Sequence, residues 1–313
     1  MPIDKKFVDQ LTIVSSKAAL ASSYLVGKKD KIAADKAAVD SMRSNLNNLK
    51  MKGKIVIGEG ELDEAPMLYV GEQLGNQNGP ELDIAVDPLE GTNFAANNLP
   101  GALSVIAVSE KGNLFNAPET YMEKISTKVK EKNVVDLDFS IKKNIFNLSE
   151  YLNKKPENLT VCILDRPRHN EKIKLLKELG VKIKLITDGD VSGALLVTEK
   201  KYGVDMFLGI GGGPEGVLAA SALDSFNCGF QGRFIFDTDN DKERATKMGI
   251  KNFTKKYELN EIVSGDSIFC ATGITSGDLV SGIEIIDKEF ISETLVTHKS
   301  SGLRKVIKLK QNI

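Results

Sequence analysis

The sequence predicts an α/β protein, and three observations carry that prediction. Short apolar runs, such as residues 82–86 and 103–108, have the length and composition of buried strands. Between residues 160 and 223 such runs alternate with helical patterns, which implies a largely parallel sheet with helices packed on it. The length of 313 residues suits two domains. A polar, lysine-rich stretch predicts their boundary, which gives domains of residues 1–155 and 156–313.

The charge and cysteine content exclude several classes of protein. The formal net charge is −1, from 42 basic and 43 acidic residues, so no overall field attracts nucleic acid or an anionic membrane. The three cysteines are far apart and have mostly apolar neighbours, which predicts buried free thiols in a reducing cytoplasm. There is no apolar leader and no run long enough to span a membrane. We therefore expect a cytoplasmic protein with no nucleic acid or membrane partner.

The N-terminal region predicts two amphipathic helices separated at Gly27. Apolar residues recur at helical spacing from Phe7 to Leu25 and again after residue 35. Asp35 lies near the start of the second helix. Its carboxylate either stabilises the first turn through the helix dipole or serves as a metal ligand, and spacing alone leaves both interpretations open.

Two acidic segments each follow a predicted strand. The first runs from Gly58 to Glu64 and contains four acids, and the second is Asp87-Pro88-Leu89-Glu90-Gly91-Thr92. Two like charges about 4 Å apart repel by roughly 4 kcal/mol at an effective dielectric constant near 20. Such segments are either solvated acidic loops or cation sites, and hard carboxylate oxygens suit Mg²⁺ or Mn²⁺. In the second segment, Pro88 and Gly91 predict a sharp turn.

Three distinctive loops follow the predicted strands 160–164, 181–186 and 204–210. They are Arg166-Pro167-Arg168-His169, Asp188-Gly189-Asp190, and Gly209 to Gly216. The carboxyl ends of parallel strands meet at one edge of a sheet, where ligands bind. Two arginines suit a phosphate, and two aspartates suit sugar hydroxyls. These loops predict a phosphosugar site.

The glycine-rich loop also permits a different interpretation. Gly211 to Gly216 satisfies Gly-x-Gly-x-x-Gly after a strand and before a helix, which is typical of dinucleotide binding. Glu215, however, would place a carboxylate against the pyrophosphate. An NAD-dependent oxidoreductase is therefore the less favoured alternative.

The residues Asp87 to Thr92 resemble the Asp-Pro-[Ile/Leu]-[Asp/Glu]-Gly-Thr signature of the lithium-sensitive, metal-dependent sugar-phosphatase superfamily. With Gly27 to Asp35 and residues 271–279, the chain resembles the class II fructose-1,6-bisphosphatases of bacteria from about Phe7 to His298. Glu90 stands where the wider superfamily has aspartate, and Asp165 where glutamate is expected. The resemblance implies a layered α-β-α-β-α sandwich of the sugar-phosphatase type, with two sheet-containing domains and the site between them.

The resemblance also implies a function. The expected reaction is metal-dependent hydrolysis of the 1-phosphate of fructose 1,6-bisphosphate to fructose 6-phosphate and phosphate, a step of gluconeogenesis. Two or more Mn²⁺ or Mg²⁺ ions are implied, together with a homodimeric or homotetrameric assembly. The implied metal ligands are Asp35, Glu59, Asp87, Glu90 and Glu215. The implied catalytic residues are Thr92, Asp63 and Lys31. The implied substrate-binding residues are Glu90, Gly91, Thr92, Tyr121, Arg166, Pro167, Arg168, Asp188, Gly189, Asp190 and Gly212.

Other functions remain open at this stage. Sedoheptulose 1,7-bisphosphate or an inositol phosphate would suit the same chemistry, and the sequence does not separate Mn²⁺ from Mg²⁺. A non-catalytic sugar-phosphate sensor is a further alternative, although a sensor would not need Thr92 and Asp63 beside the acidic set. The sequence specifies neither the oligomeric state, nor effectors, nor the packing of the C-terminal end.

Overall fold

The computed structural model describes residues 2–58 and 67–313. The chain divides into two compact units, the first formed by Met1–Ala117 with Val263–Ile313 and the second by Pro118–Ile262. Each unit contains a β-sheet, which confirms the prediction of an α/β protein with two sheets.

The described α-helices are α1 (Lys6–Ser23), α2 (Lys31–Asn47), α3 (Thr92–Ala96), α4 (Ile141–Tyr151), α5 (Asn170–Glu178), α6 (Asp190–Leu195), α7 (Gly213–Ser225), α8 (Asp239–Lys247) and α9 (Leu259–Ile262). The described strands are β1 (Lys52–Ile57), β2 (Gln73–Leu74), β3 (Glu81–Glu90), β4 (Leu103–Glu110), β5 (Tyr121–Thr127), β6 (Thr160–Leu164), β7 (Lys182–Ile186), β8 (Met206–Gly212), β9 (Gly229–Phe234), β10 (Lys256–Glu258), β11 (Ser267–Gly273), β12 (Glu284–Ile286), β13 (Glu289–His298) and β14 (Leu303–Asn312).

The sheet of the first unit carries α1 and α2. Within the described residues its strand order is β12-β13-β11-β4-β3-β1-β2, with β14 added to β13. Alternate residues of β3, including Ile84 and Val86, form one buried cluster with Leu11 and Val14 of α1 and Met42 of α2. The strand period of two and the helix period of 3.6 thus bring two apolar faces together.

The first unit is discontinuous in sequence, which differs from the predicted boundary between residues 155 and 156. β11 pairs antiparallel with β4 from Ser267–Ser109 to Gly273–Leu103, so the chain after residue 262 belongs to the same sheet as the N-terminal strands. The polar, lysine-rich stretch that predicted the boundary, residues 127–155, lies within the second unit. It contains α4, whose Ile145 and Leu148 are buried in the core of the second unit.

The sheet of the second unit has the strand order β10-β9-β5-β8-β6-β7 among described residues. The three strands predicted between residues 160 and 210 are β6, β7 and β8, and β6 pairs parallel with both of its neighbours. β5 pairs antiparallel with β8 and with β9, and β9 pairs antiparallel with β10. The sheet is therefore mixed, and its parallel part confirms the prediction from the alternating pattern.

The C-terminal end forms a hairpin. β14, which the sequence did not predict, pairs with β13 from Glu289–Asn312 to His298–Leu303. All three cysteines are buried and free, as predicted, and burial raises the pKa of the Cys270 thiol to about 12. In the part of the chain that the structure describes, no helix is both long and apolar enough to cross a membrane.

Candidate active site

A β-bulge in β3 arranges the two acids of the Asp87–Glu90 segment. Asp87 lies opposite Val105 and Glu90 lies opposite Leu103, with a register shift between them. From Asp87 to Glu90 the chain of β3 advances by three residues, whereas from Val105 to Leu103 the chain of β4 spans only two. β3 therefore carries one extra residue. Val105 and Leu103 are two residues apart and share a face of the sheet, and opposing residues point the same way. Both carboxylates consequently point to one face. The sharp turn predicted at Pro88 is wrong, because the strand continues through the bulge to Glu90.

Gly91 converts the end of β3 into the start of α3. It adopts the left-handed conformation, with φ 80°, and its carbonyl accepts hydrogen bonds from the Phe94 and Ala95 N–H groups. A Cβ at this position would lie 2.8 Å from Cδ2 of Phe94, so both the conformation and the contact require glycine. Thr92 becomes the first residue of α3 and is half-buried, two positions after Glu90.

α2 brings Asp35 to the same part of the first unit. The Asp30 side chain caps the helix by accepting from Ala33 N–H at 2.9 Å. Backbone N–H groups of Gly27 and Lys29 donate to carbonyls of α3, and α2 packs against β3 and α3. Asp35 is half-buried one helical turn into α2, and Lys31 is exposed at its first residue.

The described carboxylates form only part of the predicted metal set. Glu59 of that set lies outside the described residues, as does Asp63, which was predicted to be catalytic. Across residues 2–58 and 67–313, no group of three or more His, Cys, Asp or Glu side chains is arranged to hold a metal ion. The described side chains nevertheless fit Mn²⁺ or Mg²⁺ chemically, because the carboxylate oxygens on α2 and on the bulged part of β3 are hard ligands. Glu215 belongs to the second unit.

In the second unit, Lys124 links two of the predicted substrate loops. Its side chain is 1% exposed and its ammonium group donates to the Gly212 carbonyl at 2.5 Å. The same group forms an ion pair with the Asp190 carboxylate, which is also buried. Lysine is almost never fully buried unless it is paired. Asp190 Oδ1 has no hydrogen-bond partner among the described residues.

The glycines of this loop make room for two carboxylates. A Cβ at Gly211 would overlap the Asp190 carboxylate, and one at Gly212 would overlap the Glu215 carboxylate. Burial raises the pKa of the Glu215 carboxyl, and Asp190 raises it further, while the Lys124 ammonium opposes both effects. The glycine run is thus shaped to hold acids, which is the opposite of what a dinucleotide pyrophosphate requires.

The structure brings the predicted strand-end loops together at one edge of the second sheet. Arg168 donates from Nε and Nη2 to the Ile210 carbonyl at 3.0 and 2.8 Å. Its guanidinium carbon lies 4.8 Å from the ring centroid of Tyr121, which is paired with Gly212 across β5 and β8. Nη2 of Arg166 lies 3.8 Å from Oδ1 of Asp188, and both side chains are partly exposed.

Lys124 is the residue of this cluster that the sequence interpretation missed. The sequence pattern around Tyr121 does not predict a strand, and without a strand it assigns Lys124 to no face of a sheet. Met122 and Lys124 are buried on β5, whereas their neighbours Tyr121 and Glu123 are more exposed. A lysine in phase with buried residues was the available signal.

We expect Lys124→Met to reduce the free energy of unfolding by about 3–5 kcal/mol, because Asp190 would lose its partner in a buried ion pair. Denaturant titration measures this change. Lys256→Met is the matched control: Lys256 also forms ion pairs, with the carboxylates of Asp136 and Asp138, but its side chain is more exposed. Adding Asp190→Asn to Lys124→Met should recover part of the loss. Equal destabilisation by the two lysine substitutions would contradict the interpretation that Lys124 balances the charge of a buried carboxylate, that of Asp190.

Comparison with known proteins gives a near full-length match. A family model described as bacterial fructose-1,6-bisphosphatase, glpX-encoded, matches residues 5–311. A D-fructose 1,6-bisphosphatase class 2/sedoheptulose 1,7-bisphosphatase of Synechococcus sp. (strain JA-3-3Ab) is 40% identical over 96% of this chain and 93% of the relative. A protein of the same description from Prochlorococcus marinus (strain MIT 9515) is 43% identical over 90% of this chain and 89% of the relative. A solved inositol monophosphatase–fructose 1,6-bisphosphatase aligns with 13% identity and a TM-score of 0.36, covering 63% of this chain and 73% of that chain, which is too weak a likeness to add to the comparison.

Proposed function

This chain belongs to the bacterial fructose-1,6-bisphosphatase family and is a phosphoric monoester hydrolase, and on that premise we propose that it hydrolyses the 1-phosphate of fructose 1,6-bisphosphate. The products are fructose 6-phosphate and phosphate. The observation that carries this proposal is the family match over residues 5–311. The arrangement of Arg168, Tyr121 and the buried acids in the second unit supports it.

The reaction requires divalent cations, Mn²⁺ or Mg²⁺, with two or more in each site. The residues that would hold them are Asp35, Glu59, Asp87, Glu90 and Glu215. When bound, such ions neutralise the acids, lower the pKa of a bound water and stabilise the developing charge on the leaving oxygen. The bulge in β3 supports this assignment, because it directs Asp87 and Glu90 to one face.

The residues of the chain supply the proton transfer and the orientation. Asp63 accepts a proton from the attacking water, as a general base. The Thr92 hydroxyl, at the start of α3, orients the water and the phosphate that leaves. Lys31 adds positive charge near them.

The retained 6-phosphate and the sugar bind at the second sheet. Arg168 and Arg166 hold the phosphate, because a guanidinium matches its geometry and charge. Tyr121 and the loop Asp188-Gly189-Asp190 place the sugar. Asp190 supports this role through one buried oxygen, Oδ1, that has no partner within the described residues, whereas its other oxygen is held by Lys124.

Thr92→Val is expected to lower kcat by about 10²-fold or more with KM little changed. The substitution removes the hydroxyl at nearly constant volume, and loss of one positioned hydrogen-bond donor at the reacting group costs about 10²–10³-fold in kcat. An interaction made only in the transition state affects kcat rather than KM. Steady-state phosphate release measures both constants, and a change confined to KM would contradict the assignment.

Arg168→Ala is expected to raise KM for fructose 1,6-bisphosphate and to narrow the preference for a bisphosphate over a sugar monophosphate. Loss of a hydrogen bond to a charged group costs about 1.5–3 kcal/mol, and a contact equal in ground and transition states appears in KM. Both substrates are assayed with the same enzyme preparation. An unchanged bisphosphate preference would mean that Arg168 does not bind the retained phosphate.

Sedoheptulose 1,7-bisphosphate is a second candidate substrate, because the Synechococcus and Prochlorococcus relatives carry both activities in their descriptions. It differs by one carbon and presents the same two phosphates. The ratio of kcat/KM for the two bisphosphates, measured in parallel, decides which is preferred. An assembly of two or four copies remains a prediction.

A further inference from the structure

His169 is a buried titratable residue that the proposed mechanism does not use. It is 0% exposed. Its Nδ1 lies 2.7 Å from the Leu164 carbonyl oxygen, which can only accept a hydrogen bond. Its Nε2 lies 2.8 Å from the backbone nitrogen of Ile210, which can only donate. These two partners therefore select the neutral imidazole with its hydrogen on Nδ1.

The residue held by His169 is also the residue that orients Arg168. The N–H of Ile210 donates to His169, and the carbonyl of Ile210 accepts from Nε and Nη2 of Arg168. The Tyr121 ring lies against the same guanidinium. Of the five N–H groups of a guanidinium, two thus donate to a described residue of the chain. The other three, which donate to no residue that the structure describes, can donate to a ligand.

We propose that His169 is a positioning residue for the substrate: it fixes the backbone of Ile210, and Ile210 in turn fixes the guanidinium of Arg168 that receives the retained phosphate. This inference rests on the proposed function, because it takes the ligand of Arg168 to be a sugar phosphate. The proposal connects Leu164 at the end of β6, through His169 and Ile210 of β8, to the arginine that binds the phosphate.

The surroundings of His169 keep its imidazole neutral. Burial lowers the pKa of His169, and the neighbouring Arg168 and Lys172 cations lower it further, whereas the Leu164 carbonyl and Asp190 act in the opposite direction. Protonation would place an N–H on Nε2 against the N–H of Ile210. The connection to Arg168 would then be lost.

Two amide substitutions distinguish positioning from simple packing. In His169→Gln the longer side chain places an oxygen near the position of Nε2, where it can accept from Ile210. In His169→Asn the shorter amide reaches only the position of Nδ1. We expect His169→Asn to raise KM for fructose 1,6-bisphosphate about tenfold with kcat little changed. We expect His169→Gln to stay close to wild type.

A binding measurement and two further variants complete the test. Calorimetry with fructose 6-phosphate, which carries the retained phosphate, should show about tenfold weaker binding for His169→Asn. In the Arg168→Ala background the same substitution should have no further effect, because its action passes through Arg168. Lys172→Met is the control, because it removes a nearby lysine that pairs with Glu123. It should leave KM for fructose 1,6-bisphosphate and the affinity for fructose 6-phosphate unchanged.

The nitrogen chemical shifts of the wild-type imidazole provide a readout that does not depend on a variant folding. We expect a neutral ring with hydrogen on Nδ1 at neutral pH. An imidazolium, or hydrogen on Nε2, would overturn the inference. So would an active wild-type enzyme whose folded His169→Asn variant keeps wild-type KM and fructose 6-phosphate affinity. Failure of the proposed function is a separate result, namely no hydrolysis of fructose 1,6-bisphosphate by the wild type.

Discussion

Removal of divalent cations is expected to abolish phosphate release from fructose 1,6-bisphosphate, and addition of Mn²⁺ or Mg²⁺ is expected to restore it. The proposed ligands are all carboxylates, and the one cationic side chain assigned near them in the first unit, Lys31, balances only part of their charge. Without metal, the site lacks both the charge that activates water and the charge that stabilises the leaving oxygen. The measurement is phosphate release after dialysis against EDTA, followed by titration with each metal.

Thermal unfolding of the dialysed protein is the control for this experiment. The sheets are held by backbone pairing and apolar cores, so the metal-free chain should stay folded. Full activity in protein shown to be free of metal would refute the proposed mechanism.

Asp87→Asn is expected to lower kcat/KM by more than about 100-fold while the protein stays folded. Replacing residues that merely hydrogen-bond to metal ligands typically costs about 10–100-fold, so loss of a ligand charge should cost more. The bulge that carries Asp87 is formed by backbone pairing with β4, which the amide leaves intact. Steady-state kinetics at saturating metal measures the effect.

Asp83→Asn is the matched control on the same strand. Asp83 precedes Asp87 by four residues on the same face of β3, is 5% exposed, and accepts from the N–H of Gly112 at 2.6 Å. Burial raises the pKa of the Asp83 carboxyl. Its substitution should alter stability but leave kcat/KM near wild type. Equal losses of activity from both substitutions would mean that Asp87 acts through the fold rather than through metal.

The parallel part of the second sheet was predictable because its signals are local. The strands β6, β7 and β8 are each short and rich in aliphatic residues, each is followed by a helical pattern, and each ends in a loop rich in Arg, Asp or Gly. The rule that parallel strands end at one edge then predicts that the loops meet. The hydrogen bonds between Arg168 and Ile210 show that two of them do.

The parts of the fold and of the candidate site that the sequence did not predict depend on long-range pairing, which local patterns do not reveal. Pairing of β4 with β11 returns the C-terminal segment to the first unit, and no composition change marks that return. Pro88 and Gly91 indicated a turn, but pairing with β4 keeps residues 87–90 in the strand as a bulge. Lys124 is in phase with buried residues of β5, but its partners, the Asp190 carboxylate and the Gly212 carbonyl, lie far along the chain, so its burial depends on long-range packing.

The products formed from fructose 1,6-bisphosphate test the central claim most directly. The purified protein is incubated with the substrate and Mn²⁺, and phosphate and sugar phosphates are quantified separately. We predict one phosphate released for each substrate consumed, with fructose 6-phosphate as the sugar product. Fructose 1-phosphate as the product, or no phosphate release with any bisphosphate in the presence of metal, would contradict the account.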